Sequence, residues 1–211
     1  MRIVTLPGVF TPISDSWLLA EVLARQRLGP GGRVLDLCTG SGVLAITAAS
    51  RGAAATAVDV SRRALLSVRL NARLNGVRVR VARGDLFVPV AGERFDCIVS
   101  NPPYVPSTTD ALPTTGASRA WEAGSDGRAL LDRIIDEAPA HLRPDGALLV
   151  THSTLIGADR TLERMRSAGL QADVVERRRG PLGPLMRRRV EQGVLPAGTA
   201  VEEVVVIRGR C

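Results

Sequence analysis

The segment Asn101-Pro-Pro-Tyr104 carries residue types suited to holding a planar amino group. Two consecutive prolines restrict the backbone and remove two N–H donors, so carbonyl oxygens remain to face a ligand. The Asn101 side-chain oxygen and the Pro102 carbonyl can accept both hydrogens of an NH2 group on an sp2 carbon. Tyr104 can form an aromatic wall beside such a group. We interpret Asn101, Pro102, Pro103 and Tyr104 as the candidate catalytic segment for chemistry at nitrogen.

A second set of residues is suited to a nucleotide-like cofactor. Asp36 lies in a short apolar segment and precedes the turn 39–42, whose two glycines permit a tight bend and a close approach of the backbone to a ligand. Asp59 ends the next apolar segment, where a carboxylate can accept both hydroxyls of a ribose. Asp85 follows the third and can reach an adenine edge. The glycine turn also fits the dinucleotide pattern, so an NAD-dependent oxidoreductase is an open alternative.

Alternating helices and strands must position these residues. Apolar periodicity and glycine stops predict an α/β fold, a doubly wound sheet of seven mostly parallel strands with helices on both faces and a hairpin-like pair at the end. The predicted strands are 33–37, 54–59, 77–82, 95–100, 147–150, 172–175 and 201–207. The predicted helices are one capped by Asp15 and Ser16, then 43–50, 61–75, 129–138 and 158–168. We expect a single domain over 1–211, with a lead-in and helix in 1–32 and the catalytic core in 33–211.

Two segments do not fit this alternation. Residues 101–127 are rich in Pro, Thr, Ser and Gly, and a loop of this length is usually functional or mobile. The stretch before the last strand reads as irregular. It contains the clusters Arg177–Arg179 and Arg187–Arg189, either a solvated face or a clamp for RNA or a ribosomal partner.

Composition narrows the possible partners and location. The chain of 211 residues has a net charge of +7, and all 28 of its basic residues are arginine. This charge favours a polyanionic neighbour such as RNA, although the codon bias of a GC-rich genome would also explain it. Three separated cysteines predict neither a disulfide framework nor a metal site. No apolar run is long enough to span a membrane, so we expect a cytoplasmic protein without membrane contact.

Three motifs in combination carry a family resemblance. Asp-Leu-Cys-Thr-Gly-Ser-Gly (36–42), Val-Asp-Val-Ser (58–61) and Asn-Pro-Pro-Tyr-Val-Pro (101–106) resemble the HemK-type N5-glutamine methyltransferases, members of the class I S-adenosylmethionine-dependent methyltransferases with a Rossmann-like fold. The similarity extends to Phe10-Thr-Pro12 with Asp15-Ser16, and to 121–128. The resemblance implies S-adenosylmethionine as the cofactor and a binding site formed by Asp15, Ser16, Asp36, Thr39, Gly40, Gly42, Asp59, Val60, Asp85, Leu86 and Asn101.

The resemblance also implies a substrate and a partner. Family members methylate the glutamine of the Gly-Gly-Gln tripeptide in translation release factors, and the target amide would be held by Asn101 and the Pro102 carbonyl. Only about 14 residues precede the first core helix, as in the short branch of the family, whose members pair with a small zinc-binding activator subunit. Methylation of an exocyclic amine, adenine N6 or guanine N2, in RNA or DNA remains the alternative. Trp121 is either a lid or a core anchor, and we expect His152 to be a packing residue.

Overall fold

The computed structural model describes residues 1–29 and 31–211, which form six helices, seven strands and three short 3-10 helices. The strands are β1 (Arg33–Leu37), β2 (Ala54–Asp59), β3 (Val79–Arg83), β4 (Phe95–Ser100), β5 (Leu142–Ser153), β6 (Gln171–Pro181) and β7 (Val201–Arg210). The helices are α1 (Ser14–Ala24), α2 (Val43–Ser50), α3 (Arg62–Leu74), α4 (Ala129–His141), α5 (Ala158–Ser167) and α6 (Pro184–Glu191).

All seven strands belong to one sheet in the order β3-β2-β1-β4-β5-β7-β6. Strands β1 to β5 pair in parallel, whereas β7 is antiparallel to both β5 and β6. The chain order reverses between β1 and β4, which are neighbours in the sheet. In open sheets of this kind, ligands bind beyond the carboxyl ends of the strands at such a switch point. The prediction of a seven-stranded, mostly parallel, doubly wound sheet is confirmed.

Helices cover both faces of the sheet because alternate strand residues point to opposite sides. Leu35 and Leu37 of β1 belong to an apolar cluster with Leu131 and Ile134 of α4. Their neighbour Val34 belongs to a second cluster formed with α1 and α2. Strand β1 is buried from Val34 to Leu37, as expected for a central parallel strand. Among the described residues, no helix has the length and apolarity needed to cross a bilayer.

The carboxyl-terminal third differs most from the prediction. Strands β5 and β6 are much longer than 147–150 and 172–175. The residues that extend β6 and the carboxyl end of β5 pair with the antiparallel strand β7, whereas Leu142, at the amino end of β5, pairs with Phe95 of β4. The extension of β6 includes Arg177–Arg179. Helix α6 lies in the stretch that was predicted to be irregular; it has Pro184 in its first turn and buries Met186. β3 spans Val79–Arg83 rather than 77–82. The single-domain organisation with a boundary at residue 32 stays a prediction.

The predicted capping role of Asp15 and Ser16 is wrong. Helix α1 already begins at Ser14, and its N-cap residue is Ile13, which makes no side-chain capping bond. Asp15 and Ser16 therefore lie within the first turn, where both are buried, with 2% and 5% of their surface exposed. Their polar groups face a segment almost ninety residues further along the chain, described below. Ser61, in contrast, caps α3 as predicted, since its side chain accepts a hydrogen bond from Ala64 N.

Candidate active site

A cavity of about 480 Å³ opens at the carboxyl ends of β1, β2, β3 and β4, at the switch point of the sheet. Its volume lies in the range of cofactor pockets. Nine residues predicted from the sequence line it: Ser16, Thr39, Gly40, Asp59, Val60, Asp85, Leu86, Asn101 and Pro103. Five predicted residues lie behind this wall instead: Asp15, Asp36, Gly42, Pro102 and Tyr104. The fold thus gathers the two sequence-predicted sets around one space.

Asp36 supports the glycine turn from behind. It is fully buried, and its Oδ2 accepts hydrogen bonds from Thr39 Oγ1 at 2.5 Å and from Ala45 N at 3.0 Å. Its Oδ1 is buried and receives no hydrogen bond from the described residues. Burial raises the pKa of Asp36 to about 7, against the effect of the two hydrogen bonds. A buried carboxylate oxygen without a donor is an incomplete arrangement that a cationic ligand group would complete.

The two glycines of the turn have different structural roles. Gly40 lines the cavity, and a Cβ there would have only Phe10 O within 4.0 Å, so the backbone faces open space. Gly42 has φ of +86°, and a Cβ there would come within 2.9 Å of Val68 Cγ2 in α3. A side chain at Gly42 would therefore push α2 away from α3. Gly40 permits a close ligand, whereas Gly42 permits the packing of the helix that begins after it.

Asp59 connects the glycine turn to the start of α3. Its Oδ2 accepts a hydrogen bond from Gly40 N at 3.0 Å, and its Oδ1 accepts one from Ser61 N at 2.8 Å. Burial raises the pKa of Asp59, while these bonds and the nearby Arg119 guanidinium lower it. Arg119, which also lines the cavity, was not identified from the sequence. The carboxylate retains lone pairs for a ligand, because each of its oxygens can accept more than one bond.

Backbone strain is concentrated at the same edge of the sheet. Cys38 after β1 and Leu86 after β3 have φ of +55° and +42°, in the left-handed region that residues with a side chain rarely adopt. Both line the cavity. Strained residues of this kind cluster at ligand sites, where the surrounding structure enforces them. Asp85 beside Leu86 pairs with Arg133 of α4 at 2.7 Å, a partner that the sequence reading did not foresee.

The Asn101–Tyr104 segment is braced by the first turn of α1. Asn101 Nδ2 donates to Ser16 Oγ at 2.9 Å, and Tyr104 OH donates to Asp15 Oδ2 at 2.9 Å. The two braces are joined, because Asp15 Oδ1 accepts a bond from Ser16 N at 2.6 Å. Burial and the Asp15 carboxylate raise the pKa of Tyr104 well above its usual range, so its hydroxyl remains a donor. The predicted role of Tyr104 as a wall of the pocket is not supported, since its hydroxyl binds the brace and it does not line the cavity.

This bracing fixes the orientation of the Asn101 amide. Because Nδ2 is used by Ser16, the oxygen is the part of the amide left available at the cavity. No described residue donates a hydrogen bond to Asn101 Oδ1, and none donates to the Pro102 carbonyl. Two acceptors without described donors thus belong to consecutive residues, Asn101 at the cavity wall and Pro102 directly behind it. Such a pair matches the two hydrogens of a planar NH2 group.

The long segment after Tyr104 folds back to form the far wall. Val105 N donates to Trp121 O at 2.7 Å, and Ala123 N donates to Val105 O at 3.2 Å, so 121–123 run beside the end of the catalytic segment. Glu122 lines the cavity and forms an ion pair with Arg189 of α6. Trp121 packs against an apolar cluster of Val105, Leu182, Met186 and Leu195 and does not line the cavity. This packing supports the anchor rather than the lid interpretation of Trp121.

Arg128 and His152 form a buried polar cluster away from the cavity. Arg128 Nη1 donates to Ile156 O at 2.9 Å and to Thr161 Oγ1 at 3.0 Å, and Nη2 pairs with Asp132 at 2.7 Å. His152 Nε2 lies 2.9 Å from the same Thr161 hydroxyl. Burial lowers the pKa of His152 to about 4, so the imidazole is neutral. The expectation that His152 is a packing residue agrees with this environment.

The comparisons with known proteins give one consistent family. A family model described as "Methyltransferase small domain" matches residues 1–115. A protein of Methanocaldococcus jannaschii named "Putative protein N5-glutamine methyltransferase" is 33% identical over 181 residues, 85% of this chain and 90% of that protein. A ribosomal protein uL3 glutamine methyltransferase of Bradyrhizobium diazoefficiens is 46% identical over 56% of this chain and 39% of its own length. A release factor glutamine methyltransferase of Gloeobacter violaceus is 39% identical over 67% of this chain and 53% of its length.

A solved structure supports the fold. The Mtq2–Trm112 complex of E. cuniculi contains a chain that superimposes with a TM-score of 0.67 at 24% identity, covering 96% of this chain and 98% of that one. The chain therefore spans nearly the whole archaeal relative but only about half the length of the two bacterial relatives. The family model matches more than half of the chain, and its position covers the glycine turn, Asp59 and Asn101–Tyr104. By these matches and its sheet topology, the chain belongs to the HemK-type class I S-adenosylmethionine-dependent methyltransferases.

Proposed function

We propose that this methyltransferase modifies the side-chain amide nitrogen of a glutamine in a protein substrate, with a translation release factor as the first candidate. The observation that carries the proposal is the orientation of Asn101, whose Nδ2 is held by Ser16 Oγ at 2.9 Å. The free Oδ1, together with the Pro102 carbonyl, presents two acceptors to one planar NH2 group. A glutamine amide offers two donors in one plane, which is the complementary pattern.

The cavity residues fit the cofactor of the family. We assign the glycine turn and Asp36 to the methionine part of S-adenosylmethionine, Asp59 to the ribose, and Asp85 with Leu86 to the adenine. The buried Asp36 Oδ1, to which no described residue donates a hydrogen bond, supports a cationic group near the turn. In our proposal, Asp15 and Ser16 hold the Asn101–Tyr104 segment in place. The resemblance had instead implied a direct cofactor contact for both residues. Ser16 lines the cavity and can do both.

Alignment is the main contribution that these residues make to catalysis. The bound cofactor supplies a methyl group on a positively charged sulfur. Asn101 and Pro102 hold the amide nitrogen still and direct its lone pair toward the cavity, while Asp15 and Ser16 keep Asn101 in place. Such positioning can lower a barrier by about 7–11 kcal/mol. No general base is assigned, because the proton can leave the nitrogen after transfer, when it has become acidic.

The proposed substrate class is supported by the names of the relatives. The three relatives are named for glutamine methylation, one of them of release factors and one of ribosomal protein uL3. Because the chain belongs to a methyltransferase family, the alternative of an NAD-dependent oxidoreductase is wrong. The exocyclic amine of an adenine or guanine would fit the same two acceptors, and the net charge of +7 favours that second candidate. A substrate in translation would place the enzyme in the cytoplasm.

Methyl transfer from tritiated S-adenosylmethionine separates the two substrate classes. The substrates are a release factor with Gly-Gly-Gln, the same factor with that glutamine replaced by alanine, purified uL3, and total RNA. Incorporation into the intact factor that is absent from the alanine version supports the proposal. Incorporation that nuclease removes and protease spares would refute it. Asn101→Ala should abolish turnover and leave affinity for S-adenosylhomocysteine within about threefold, since the Asn101 side chain is proposed to hold the target amide of the substrate.

A small partner subunit is part of the proposal. The solved chain that matches over nearly its full length was crystallised as a complex with Trm112. We therefore expect the purified chain alone to turn over slowly and to gain activity with a small activator from the same organism. The further expectation that the activator binds zinc stays a prediction. Full turnover of the isolated chain, equal to that of the mixture, would refute the requirement.

A further inference from the structure

The net charge of the chain is located in one continuous segment. Residues 60–84 contain seven arginines and no aspartate or glutamate. The remaining 21 of the 28 arginines are balanced by the 21 acidic residues of the rest of the chain. The net charge of +7 therefore equals the charge of 60–84 alone. This segment comprises α3 and β3, the edge strand beside the cofactor cavity.

The arginines of α3 lie on one exposed face. Arg62, Arg69 and Arg73 are separated by seven and four positions, which places them on one side of a helix within about 40°. They extend over about 16 Å of helix length. All three are exposed, and no described carboxylate lies within ion-pair distance of any of them. With Arg63, Arg78 and Arg83, they form what we call the α3 basic face.

This arrangement opposes the local stability of the helix. Arg62 and Arg63 occupy the first turn of α3, where the helix dipole favours acidic residues, and that turn contains none. Arg69 and Arg73 are four residues apart, a spacing at which like charges repel. A solvated face would normally alternate both signs of charge along a helix. An unfavourable placement that local structure does not explain is expected where a binding function requires it.

The arginine clusters singled out in the sequence are different in this respect. Arg177 pairs with Glu203 at 2.7 Å and Arg178 with Glu21 at 3.2 Å. In the second cluster, Arg189 pairs with Glu122. Three of the six arginines in the two clusters are therefore compensated within the fold, whereas the salt bridges of the described residues include none for Arg179, Arg187 or Arg188. The prediction that these clusters contact RNA stays a prediction. On α3, in contrast, none of Arg62, Arg69 and Arg73 has a carboxylate partner among the described residues.

We infer that the α3 basic face binds the phosphate backbone of RNA beside the mouth of the cavity. The location follows from the first turn of α3, because Ser61 and Ala64 line the cavity. Arg83 Nε also donates to the carbonyl of Val60, another lining residue, at 3.2 Å. Arginine recognises phosphate through several donors in a fixed plane and needs no base contact. Only 3% of residues are aromatic, so contact with phosphates rather than base stacking fits the surface.

The inference is independent of which group the enzyme methylates. RNA bound there would hold the enzyme near a substrate that is itself RNA-associated, and it would equally do so near an RNA substrate. An acidic protein is the competing partner, since Leu66 and Leu74 on the same helix are 54% and 44% exposed. The absence of any acidic residue in 60–84 favours a uniformly anionic chain over a mixed protein surface.

Two triple variants with the same change in net charge provide the test. The first is Arg62→Gln, Arg69→Gln and Arg73→Gln on the α3 basic face. The matched control is Arg25→Gln, Arg177→Gln and Arg178→Gln, whose arginines each pair with a glutamate. Binding of a fluorescent RNA hairpin is followed by anisotropy between roughly 50 and 200 mM salt. Thermal unfolding and S-adenosylhomocysteine binding verify that both variants are folded.

The wild-type protein should bind the hairpin with a strong salt dependence. Loss of three phosphate contacts should weaken binding by about tenfold or more and reduce the slope of log K against log salt by about 2. The control should stay within about threefold. Equal losses in both variants, or no binding by the wild type at low salt, would overturn the inference. Polyglutamate displacing the RNA at matched charge concentration would also overturn it, in favour of an acidic protein partner.

Discussion

Replacement of Ser16 by alanine tests the proposed geometry, because Ser16 determines which end of the Asn101 amide faces the target NH2 group. Its Oγ accepts the Asn101 Nδ2 bond at 2.9 Å, and its own N–H is held by Asp15 Oδ1 at 2.6 Å. The substitution removes the Oγ that accepts the hydrogen bond from Asn101 Nδ2, and it leaves the helix backbone intact. Nothing then distinguishes the two orientations of the amide, and in the wrong one a donor faces the donors of the target NH2.

The expected magnitude follows from the strength of one hydrogen bond. A neutral bond of this kind contributes about 0.5–1.5 kcal/mol net. If the brace acts in the transition state, losing it should lower kcat by about 2- to 13-fold, since about 1.4 kcal/mol corresponds to a factor of ten. Asn101→Ala should lower kcat far more, because it removes the Oδ1 that is proposed to accept a hydrogen bond from the target NH2 group. The two variants should therefore differ clearly in severity while sharing the same sign.

The assay measures kcat at saturating cofactor and the affinity for S-adenosylhomocysteine by calorimetry. Thr151→Val is the matched control, since it deletes a buried hydroxyl that donates only to Val205 O at 2.9 Å, outside the cavity. The control should lose stability and keep kcat. Wild-type kcat in Ser16→Ala would refute the bracing argument. If cofactor affinity fell as much as kcat, Ser16 would instead be a cofactor ligand.

Three further predictions concern buried titratable groups. Asp59→Asn should weaken S-adenosylhomocysteine binding by about tenfold in calorimetry, because a charge-assisted acceptor becomes neutral; unchanged affinity would remove Asp59 from the ribose site. Burial lowers the pKa of His152 to about 4 from 6.5, so the folded state favours neutral imidazole. Its contribution is present above about pH 6.5 and is lost as pH falls toward 4, by up to about 3 kcal/mol of unfolding free energy. Urea titrations of His152→Gln should show a flatter acid limb, and an identical limb would contradict this. Burial raises the pKa of Asp36 to about 7, so without cofactor its contribution is lost as pH rises through 7, and Asp36→Asn should unfold with less pH dependence there than the wild type.

The parallel half of the fold could be predicted because its signals are local. Strands β1, β2 and β4 were predicted with the observed boundaries, since each is a short buried apolar run that a glycine, an acidic residue or a proline brings to an end. The position of Asp59 at the end of β2 then placed it next to the glycine turn, which Gly40 N to Asp59 Oδ2 at 3.0 Å confirms. Nine predicted residues line one cavity for the same reason.

The antiparallel part of the sheet and helix α6 could not be predicted in the same way. Strand β6 is an edge strand with both faces partly exposed, so its sequence lacks the apolar alternation that marks a half-buried strand. Its length is determined by pairing with β7, which lies twenty or more residues away in the chain. Helix α6 has arginines at three successive positions, and its burial of Met186 depends on the cluster formed with Val105 and Leu195. These are tertiary effects that no local window contains.

The hydrogen bonds of Asp15 and Ser16 show that residues can be predicted correctly as part of a site while their roles are predicted wrongly. In the sequence, an Asp-Ser pair before an apolar helix is a standard cap signal, and cofactor contact was the only other reading. The structure shows a third role, in which Asp15 and Ser16 bind Tyr104 and Asn101, and these partners could not be predicted because they lie 89 and 85 positions away.

The location of the net charge also depends on the fold. The sum of +7 is a property of the sequence, but which arginines remain uncompensated depends on which carboxylates the fold brings beside them. Arg177 and Arg178 look like the strongest cluster and are neutralised by Glu203 and Glu21, whereas the separated arginines of α3 are not. Pairing across the fold, rather than density along the chain, therefore determines where a polyanion would bind.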